Sequence, residues 1–400
     1  MMLIGFTWPD PPLRMKGTSV HKRSTPGRRL VAGACSVLVA VLGSLGAAGP
    51  ARADDVQSKQ WYLTALHAKE AQKISTGKGV VVAVIDTGVR ADHPDLAAQV
   101  LPGVNWPPGS ATEDKGWNDA TGHGTAVAGI IAGRGGRDHL LGLAPGAKIL
   151  PVEMAEALPA VTIGPAITWA VDHGAKVINL SVVAESDPPG IVDAVQYALA
   201  HDVVVVASAG NLPLDTAVHE PGSVPGVLTV SGLDEHGTFW TGSTSGPEVA
   251  ISAPAVNIFL ISNHQPDGSP GGYARTPGGT SAAAPMVAAA AALVRAKYPT
   301  MSAPDVINRL IRTADDAGPS GRDPRYGFGR LDIVRALTAD VPSVGQLNPL
   351  GAPAASTPPQ AGGAGKLPLV LAAALAGLLL VIAVVVILAV VLGRRRPRSG

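Results

Sequence analysis

The sequence is poor in cysteine, in aromatic residues and in net charge. Its single cysteine, Cys35, lies in an N-terminal apolar run, which excludes a C-x-x-C metal or redox site and an intrachain disulfide. Aromatic residues make up 4% of the chain and hydrophobic residues 46%, so alanine and aliphatic side chains must build the core. The net charge of +1 gives no electrostatic basis for binding nucleic acid, and no nucleic-acid partner is expected.

The N-terminal segment has the pattern of a secretory signal peptide. Basic residues within positions 21–29 precede an apolar run over 30–48, and the small-x-small sequence ARA follows at 51–53. This order predicts a signal peptide over residues 1–53. A retained N-terminal anchor is the alternative, and the glycines that interrupt the apolar run disfavour it. Removal of the signal peptide would leave a mature chain without cysteine.

The C-terminal segment is uncharged over residues 367–392, which is long enough for a transmembrane helix. The tail at 393–400 is basic, and such clusters stay in the cytoplasm. We therefore predict a single-pass protein of the cell membrane, with an extracytoplasmic body and a basic cytoplasmic tail. Residues 341–366, rich in Pro, Gly and Ala, are predicted to form a linker, which leaves one folded domain over residues 54–340.

Apolar runs typical of buried strands alternate with helical stretches along this domain. The strand runs lie at 80–85, 147–154, 176–182, 203–209, 227–233 and 249–254, and the helical stretches at 167–175, 191–202 and 282–294. Continuous apolar strands separated by helices predict a three-layer α/β fold, in which helices cover both faces of a central, mainly parallel sheet. Reactive groups in such folds gather at the carboxyl ends of the strands.

Three polar residues stand where this fold places reactive groups. Asp86 ends the first strong strand run, His123 lies between two glycines at the start of a helical run, and Asn211 follows another strand run. A buried carboxylate needs a partner, an imidazole suits proton transfer near neutral pH, and a carboxamide can donate to an oxyanion. Taken singly, each residue also fits an ordinary role in a turn, a helix cap or a loop.

Ser281 directly precedes the alanine-rich helical stretch. Serine commonly caps a helix N-terminus, so capping is the simplest role for it. The alternative is a nucleophile at a helix end that presents unpaired N–H groups.

Together the four residues predict an apparatus for peptide-bond cleavage. Ser281 would attack a carbonyl while His123 carries the proton and Asp86 orients the imidazole. Asn211 and the backbone N–H of Ser281 would hold the oxyanion. The chain order Asp, His, Ser and the lack of a G-x-S-x-G motif disfavour an esterase or lipase of the α/β-hydrolase type.

Four blocks of the sequence resemble, in order, the signature blocks of the subtilisin-like serine proteases. They read VVVAVIDTGVRADHPDL, GHGTAVAGIIAG, VVVVASAGN and GGTSAAAPMVAAAAALV. The resemblance implies a subtilisin-like fold and serine endopeptidase activity on protein or peptide substrates. It assigns the catalytic triad to Asp86, His123 and Ser281, and the oxyanion donor to Asn211. No cofactor is expected, and no carboxylate cluster of the sequence predicts a metal site.

The order of the segments resembles the mycosins, the membrane-anchored subtilases associated with type VII secretion in actinobacteria. A signal peptide, the lead-in WYLTALHAKEAQKISTGKG, a Pro-rich linker and a C-terminal membrane helix with a basic tail carry this resemblance. It implies the membrane and type VII secretion components as partners. The chain departs from typical mycosins because its mature form has no cysteine for a disulfide in the catalytic domain.

One stretch differs from many subtilases, which carry LGG after a block similar to VINLS. Here Val182, Val183 and Ala184 follow Ser181. These four residues are expected to line the substrate cleft. Side chains in place of glycine hydrogens would narrow the pocket for the P1 residue, so we expect a preference for small P1 residues such as alanine.

The leading hypothesis is therefore a membrane-anchored extracytoplasmic serine endopeptidase that processes selected secreted proteins. The alternative is a structural subunit of a type VII secretion complex whose protease activity is dispensable.

Overall fold

The computed structural model describes residues 56–106, 115–154, 162–184, 190–263 and 271–351. Its main strands are β1 Val81–Asp86, β2 Val104–Trp106, β3 Lys148–Met154, β4 Val177–Leu180, β5 Val204–Ser208, β6 Leu228–Leu233 and β7 Val249–Pro254. Within these ranges they form one parallel sheet in the order β2-β3-β1-β4-β5-β6-β7. All their carboxyl ends therefore lie along one edge, which we call the carboxyl edge, and their amino ends lie along the opposite amino edge.

Side chains of the sheet alternate between two apolar cores, one on each face. Val82 and Val84 of β1 pack into one core, while Ala83 and Ile85 pack into the other. Successive strand residues point to opposite faces, and burial of both faces explains why the strand runs are continuously apolar. The predicted α/β fold, with a central parallel sheet covered by helices, is confirmed.

Helices cover both faces of the sheet. They are α1 Trp61–Ala65, α2 Ala68–Ile74, α3 His123–Ala132, α4 Ile163–Asp172, α5 Ile191–Ala200, α6 Thr280–Lys297, α7 Ala303–Arg312 and α8 Ile333–Thr338. Residues of α3 and α6 belong to one core, and residues of α4 and α5 to the other. Except for Ala296, the alanines of α6 are buried, and this helix contacts strands β4 to β7.

The lead-in to the domain is part of the fold, although its helices α1 and α2 were not predicted. The indole N–H of Trp61 lies 3.2 Å from the carbonyl oxygen of Asn257, and the hydroxyl of Tyr62 donates to the carbonyl of Phe259 at 3.3 Å. These contacts hold the lead-in against a separate antiparallel pair of strands, β8 Ile258–Ile261 and β9 Tyr273–Thr276.

Residues 341–351, which composition assigns to the linker, lie against the folded domain. Asp305 of α7 accepts a hydrogen bond from the N–H of Val344 at 2.7 Å, and the side chain of Asn348 donates to the carbonyl of Gly226 at 3.2 Å. We call residues 341–351 the C-terminal strap. Because Gly226 shortly precedes β6, the strap is fastened at the amino edge of the sheet.

The predicted signal peptide, membrane helix and cytoplasmic tail, and residues 352–366 of the predicted linker, lie outside the described residues. Within the described ranges, no helix combines the length and apolar character needed to cross a bilayer. The described residues all belong to the first of two units into which the chain divides, Met1–Ala354.

Candidate active site

The carboxyl edge brings Asp86 and His123 into direct contact. Asp86 is the last residue of β1 and fully buried, and His123 is the first residue of α3. Asp86 Oδ1 and His123 Nδ1 are 2.7 Å apart. Because an ionised carboxylate only accepts hydrogen bonds, we assign the proton of the neutral imidazole to Nδ1, which leaves Nε2 as its basic atom.

The glycines on either side of His123 allow this close approach. Gly122 has a φ of +85°, a left-handed conformation that glycine adopts without steric cost. A Cβ atom at Gly124 would collide with the carbonyl of Gly88, in the loop after β1. The first turn of α3 therefore lies directly against the end of β1.

Opposing influences set the pKa of His123. Burial lowers it, since the imidazolium ion is poorly solvated inside the protein. The charge and the hydrogen bond of Asp86, together with the charge of Asp119, raise it. The raising influences prevail, so the pKa of His123 lies above its ordinary value of 6.5.

Asp119 is a second buried carboxylate near this pair, and the sequence analysis did not identify it. Its Oδ1 accepts from the N–H of Gly122 and its Oδ2 from the N–H of Thr125, both at 2.8 Å. Burial raises the pKa of Asp119, and hydrogen bonds from Thr125 and Thr87 partly offset this effect. The available sequence signal was a carboxylate four residues before a histidine that starts a helix.

Ser281 is the second residue of α6 and does not cap it. The helix begins at Thr280, and its capping position is Gly279, which has no side chain to serve as a cap. The helix-capping role considered for Ser281 is therefore wrong. Its backbone N–H belongs to the first turn, where helix geometry provides no intrahelical acceptor.

Asn211 is tied to the start of α6 through one side of its amide. Its Oδ1 accepts hydrogen bonds from the N–H and the hydroxyl of Thr280, at 2.9 and 3.1 Å. Its Nδ2 is buried and has no hydrogen-bond partner in the described part of the chain. A buried donor without a partner costs about 1–3 kcal/mol, so a ligand that accepts from this group would relieve a real penalty.

The starts of α3 and α6 both lie at the carboxyl edge. Asn211 follows β5 and holds the start of α6, while Asp86 ends β1 and holds the start of α3. Helices α3 and α6 also pack against each other. The fold thus places Ser281, which is 2% exposed, at the same edge as the Asp–His pair.

Pro285 leaves the carbonyl of Ser281 open to a partner outside the helix. In an uninterrupted helix this carbonyl would accept from the N–H four residues later, and proline has no N–H. The hydroxyl of Ser181 donates to it instead, at 3.1 Å, and Asn179 Nδ2 in turn donates to that hydroxyl at 3.0 Å. Ser181, predicted to line the cleft, therefore holds the backbone of Ser281.

The other predicted cleft residues continue from Ser181 and are buried. Val182 and Ala184 belong to the core that α4 and α5 cover, whereas Val183 between them is 3% exposed and does not belong to that core. The side chain of Val183 therefore projects to the opposite side of the chain from those of Val182 and Ala184. The N–H of Ala184 donates to the carbonyl of Glu220 at 2.8 Å, which fixes the end of this stretch.

Chemically, the arrangement suits nucleophilic attack on a carbonyl group. It combines a serine in the first turn of a helix, an imidazole oriented by a buried carboxylate and a carboxamide whose N–H₂ group is available. These are the nucleophile, the base and the oxyanion donor that acyl transfer requires.

Comparison with known proteins gives a consistent result. The sequence model of the Subtilase family (peptidase S8) matches residues 77–329. This span includes all four residues that form the predicted triad and oxyanion donor: Asp86, His123, Asn211 and Ser281.

Individual relatives agree with the family match. Fervidolysin of Fervidobacterium pennivorans is 32% identical over 320 residues, which cover 73% of this chain and 45% of fervidolysin. Mycosin-3 of Mycobacterium tuberculosis is 33% identical over 338 residues, which cover 70% of this chain and 72% of mycosin-3. The crystal structure of MycP1 from the ESX-1 type VII secretion system has a TM-score of 0.63 at 30% identity, and the match covers 73% of this chain and 88% of MycP1. The chain thus spans less than half of the length of fervidolysin.

Proposed function

The chain belongs to the subtilase family and is a serine-type endopeptidase, and from this premise we propose that it is a membrane-anchored mycosin. Its catalytic domain works outside the cytoplasm and processes selected proteins that a type VII secretion system exports. Asp86, His123 and Ser281 form the catalytic triad, and Asn211 is the oxyanion donor.

The observation that carries the catalytic assignment is the buried contact of 2.7 Å between Asp86 and His123 at the start of a helix. A carboxylate that engages Nδ1 fixes the orientation of the ring and leaves Nε2 for proton transfer. Burying a carboxylate is costly unless it has a partner, and here the partner is the imidazole itself.

In the proposed reaction, the hydroxyl of Ser281 attacks the carbonyl carbon of the scissile bond. Nε2 of His123 takes the hydroxyl proton, and Asp86 stabilises the imidazolium ion that results. The oxyanion accepts hydrogen bonds from Nδ2 of Asn211 and from the backbone N–H of Ser281. His123 then gives the proton to the leaving amine. Water, activated in the same way by His123, releases the acyl product from Ser281.

Labelling of the full chain with a fluorophosphonate probe tests the nucleophile. We expect one labelled serine, loss of labelling in Ser281→Ala, and full labelling in Ser343→Ala, which alters a serine of the C-terminal strap. Labelling of Ser281→Ala at the level of the unmodified chain would refute the assignment.

A reporter fused after Gly400 tests the proposed topology. The uncharged run over 367–392 and the basic tail after it support a cytoplasmic C-terminus. A reporter active only in the cytoplasm should therefore be active at this position, and one that needs export should be inactive. The opposite pattern would contradict the orientation.

Complementation with Ser281→Ala separates a processing enzyme from a structural subunit. In a strain without the chromosomal copy, a processing enzyme requires Ser281 for substrate cleavage and for any secretion that depends on cleavage. Full restoration of secretion by Ser281→Ala, with the substrates left uncleaved, would instead assign the chain a structural role in the secretion complex.

A further inference from the structure

The carboxylate of Asp119 is the centre of a hydrogen-bond network next to the Asp86–His123 pair. Asp119 is 3% exposed. Besides the two backbone N–H groups described above, it accepts from the hydroxyl of Thr87 at 2.8 Å, from that of Thr125 at 2.6 Å and from that of Thr121 at 3.3 Å. Each of its oxygens thus accepts one backbone N–H and at least one hydroxyl, and these hydrogen bonds partly offset the rise that burial causes in the pKa of Asp119.

This network ties the first turn of α3 to the end of β1. The N–H groups at the start of a helix have no intrahelical acceptor, and here Asp119 accepts from Thr125 while the hydroxyl of Thr87 accepts from Gly124 at 3.0 Å. Thr87 directly follows Asp86 in the chain, and its N–H donates to Asp86 Oδ1 at 2.8 Å. The carboxylates of Asp119 and Asp86 are therefore joined through one residue.

The loop that carries Asp119 is held from the other side as well. Asn263, which follows β8, donates through Nδ2 to the carbonyl of Asp119 at 2.5 Å, and a Cβ atom at Gly122 would contact the amide of Asn263. The loop between Asp119 and His123 thus has few conformations available, although it lies outside regular secondary structure.

Two negative charges in the described part of the chain act on His123. They belong to Asp86, in direct contact, and to Asp119. Arg90, a cation close to this loop, is ion-paired with Asp92 at 2.7 Å and also lies within the electrostatic influence of Asp119. An imidazolium ion next to two carboxylates is more stable than one next to a single carboxylate, and this ion forms during proton transfer from the serine.

We propose that Asp119 is a positioning residue of the catalytic apparatus: its buried carboxylate holds the start of α3 against the end of β1 and keeps a second negative charge behind the imidazole of His123. Asp86 alone would orient the ring from one side. Asp119 fixes the backbone from which the ring projects, and its charge stabilises the imidazolium ion without touching the reacting atoms.

The matched pair Asp119→Asn and Asp92→Asn tests this proposal in the full chain. Both remove one carboxylate, but the side chain of Asp92 is 71% exposed and paired with Arg90. The probe is a fluorogenic peptide with alanine before the scissile bond, and the readouts are kcat, KM and the pH profile of kcat/KM. The acid limb of that profile reports the pKa of the free enzyme's base.

For Asp119→Asn, we expect the acid limb to move to lower pH by about half a unit to one unit, since loss of the negative charge disfavours the imidazolium ion. We also expect kcat to fall about tenfold or more, with KM within about twofold, because loss of positioning acts on the transition state. Asp119→Glu, which keeps the charge, should return the acid limb toward that of the unmodified chain. Asp92→Asn should leave all three readouts unchanged.

A lower Tm of Asp119→Asn with an unchanged acid limb and unchanged kcat would show a purely structural role and overturn the proposal. If Asp119→Asn does not fold, Thr125→Val serves instead, since it removes the donor at 2.6 Å and keeps the carboxylate. It should lower kcat at constant KM without moving the acid limb, and an unchanged kcat would overturn the positioning role.

The proposal rests on the catalytic triad proposed above. Different results would refute the proposed triad and the proposed role of Asp119. Full activity of Ser281→Ala would remove the triad, whereas an inactive Ser281→Ala with a fully active Asp119→Asn would remove only the role of Asp119.

Discussion

At the scale of single residues, the balance of influences on His123, the proposed general base, sets the pH range in which we expect the enzyme to work. Burial lowers its pKa, and the carboxylates of Asp86 and Asp119 raise it further than burial lowers it. Only the neutral imidazole can accept the proton of Ser281. Activity must therefore fall as the pH drops through a pKa that lies above the ordinary value.

We accordingly expect the acid limb of kcat/KM to lie above pH 6.5, the ordinary value for histidine, with full activity only on the alkaline side. The measurement is kcat/KM for a peptide substrate from about pH 5 to about pH 10, in buffers of constant ionic strength. An acid limb below pH 6.5 would contradict the dominance of the two carboxylates.

Substitutions in the triad should act as a unit. Asp86→Asn, His123→Ala and Ser281→Ala should each lower kcat by roughly 10⁴- to 10⁶-fold. The double variant His123→Ala with Ser281→Ala should be no slower than Ser281→Ala alone, because each change already disables the same step. Turnover of purified variants with a peptide substrate, after active-site titration of the unmodified enzyme, measures these losses. Losses that multiply in the double variant would show two independent contributions.

The two ends of the Asn211 amide can be tested separately, because Oδ1 accepts from Thr280 and Nδ2 is the proposed oxyanion donor. Asn211→Ala removes the acceptor for Thr280 and the donor Nδ2, whereas Asn211→Asp keeps an acceptor for Thr280 and removes the donor. Both should lower kcat by about 10² to 10³ with little change in KM, since both lack the oxyanion donor. Near-normal kcat in Asn211→Asp would show that Asn211 only anchors the start of α6.

The sequence was sufficient to choose Asp86, His123, Asn211 and Ser281 as candidates, because each follows a strand run or starts a helical run. It was not sufficient for Asp119 or Thr280, which matter through contacts across the fold. Loop aspartates and helix-starting threonines have common structural roles. Only the packing of α3 and α6 on the sheet shows which backbone groups they hold.

At the scale of secondary-structure elements, some features were again predictable from the sequence and others depended on the fold. The long apolar strands of the sheet were predictable because burial on both faces leaves continuous runs. The three-residue β2 and the polar β9 were not, since strands this short form only where the neighbouring chain supplies partners. The predicted helix over 282–294 extends in the structure from Thr280 to Lys297. Its start depends on the contact of Thr280 with Asn211 at the carboxyl edge, and its last turn on the contact of Arg295 with Asp202, and neither contact can be read from the sequence.

The stretch after β4 predicts how the cleft selects its substrates. Val182 and Ala184 pack into the core under α4 and α5, and Val183 does not. Of the three side chains that replace glycine hydrogens, we therefore propose Val183 as the one that narrows the P1 pocket. Ala184→Gly should instead act mainly on stability, because it removes a methyl group from the core and adds backbone freedom.

We therefore expect the unmodified enzyme to cleave after alanine and other small residues, and slowly after Phe, Tyr or Leu. Val183→Gly should raise kcat/KM for large P1 residues, and Ala184→Gly, its matched control, should change stability more than P1 preference. A peptide library that varies only at P1, combined with the Tm of each variant, provides the measurement. An unmodified enzyme that already prefers Phe or Leu would refute the narrow pocket.

At the scale of the whole molecule, the extent of the stable body can be tested by truncation. A chain that ends at Gly351 keeps the C-terminal strap, and one that ends at Asp340 loses it. Both should retain activity, but the shorter chain should be less stable by roughly 1–3 kcal/mol, since it loses the hydrogen bonds to Asp305 and Gly226. Thermal unfolding of the two chains, each with Ser281→Ala to prevent self-digestion, measures the difference.

Leu347→Ala in the longer chain is the control, because Leu347 lies in the strap but is 66% exposed. Its Tm should match that of the longer chain. Equal stability of the chains that end at Gly351 and Asp340 would show that the strap adds nothing to the fold.

The position of the C-terminal strap on the sheet also determines how the enzyme can be immobilised. The C-terminal strap is fastened at the amino edge of the sheet through Asn348, whereas Asp86 and Asn211 lie at the carboxyl edge. In a chain that ends at Gly351, coupling to a bead or a sensor chip through a tag at that residue should therefore hold each copy by the side opposite the proposed catalytic residues. Immobilised in this way, the enzyme should present its carboxyl edge to the solution, where protein substrates and short peptides can approach it.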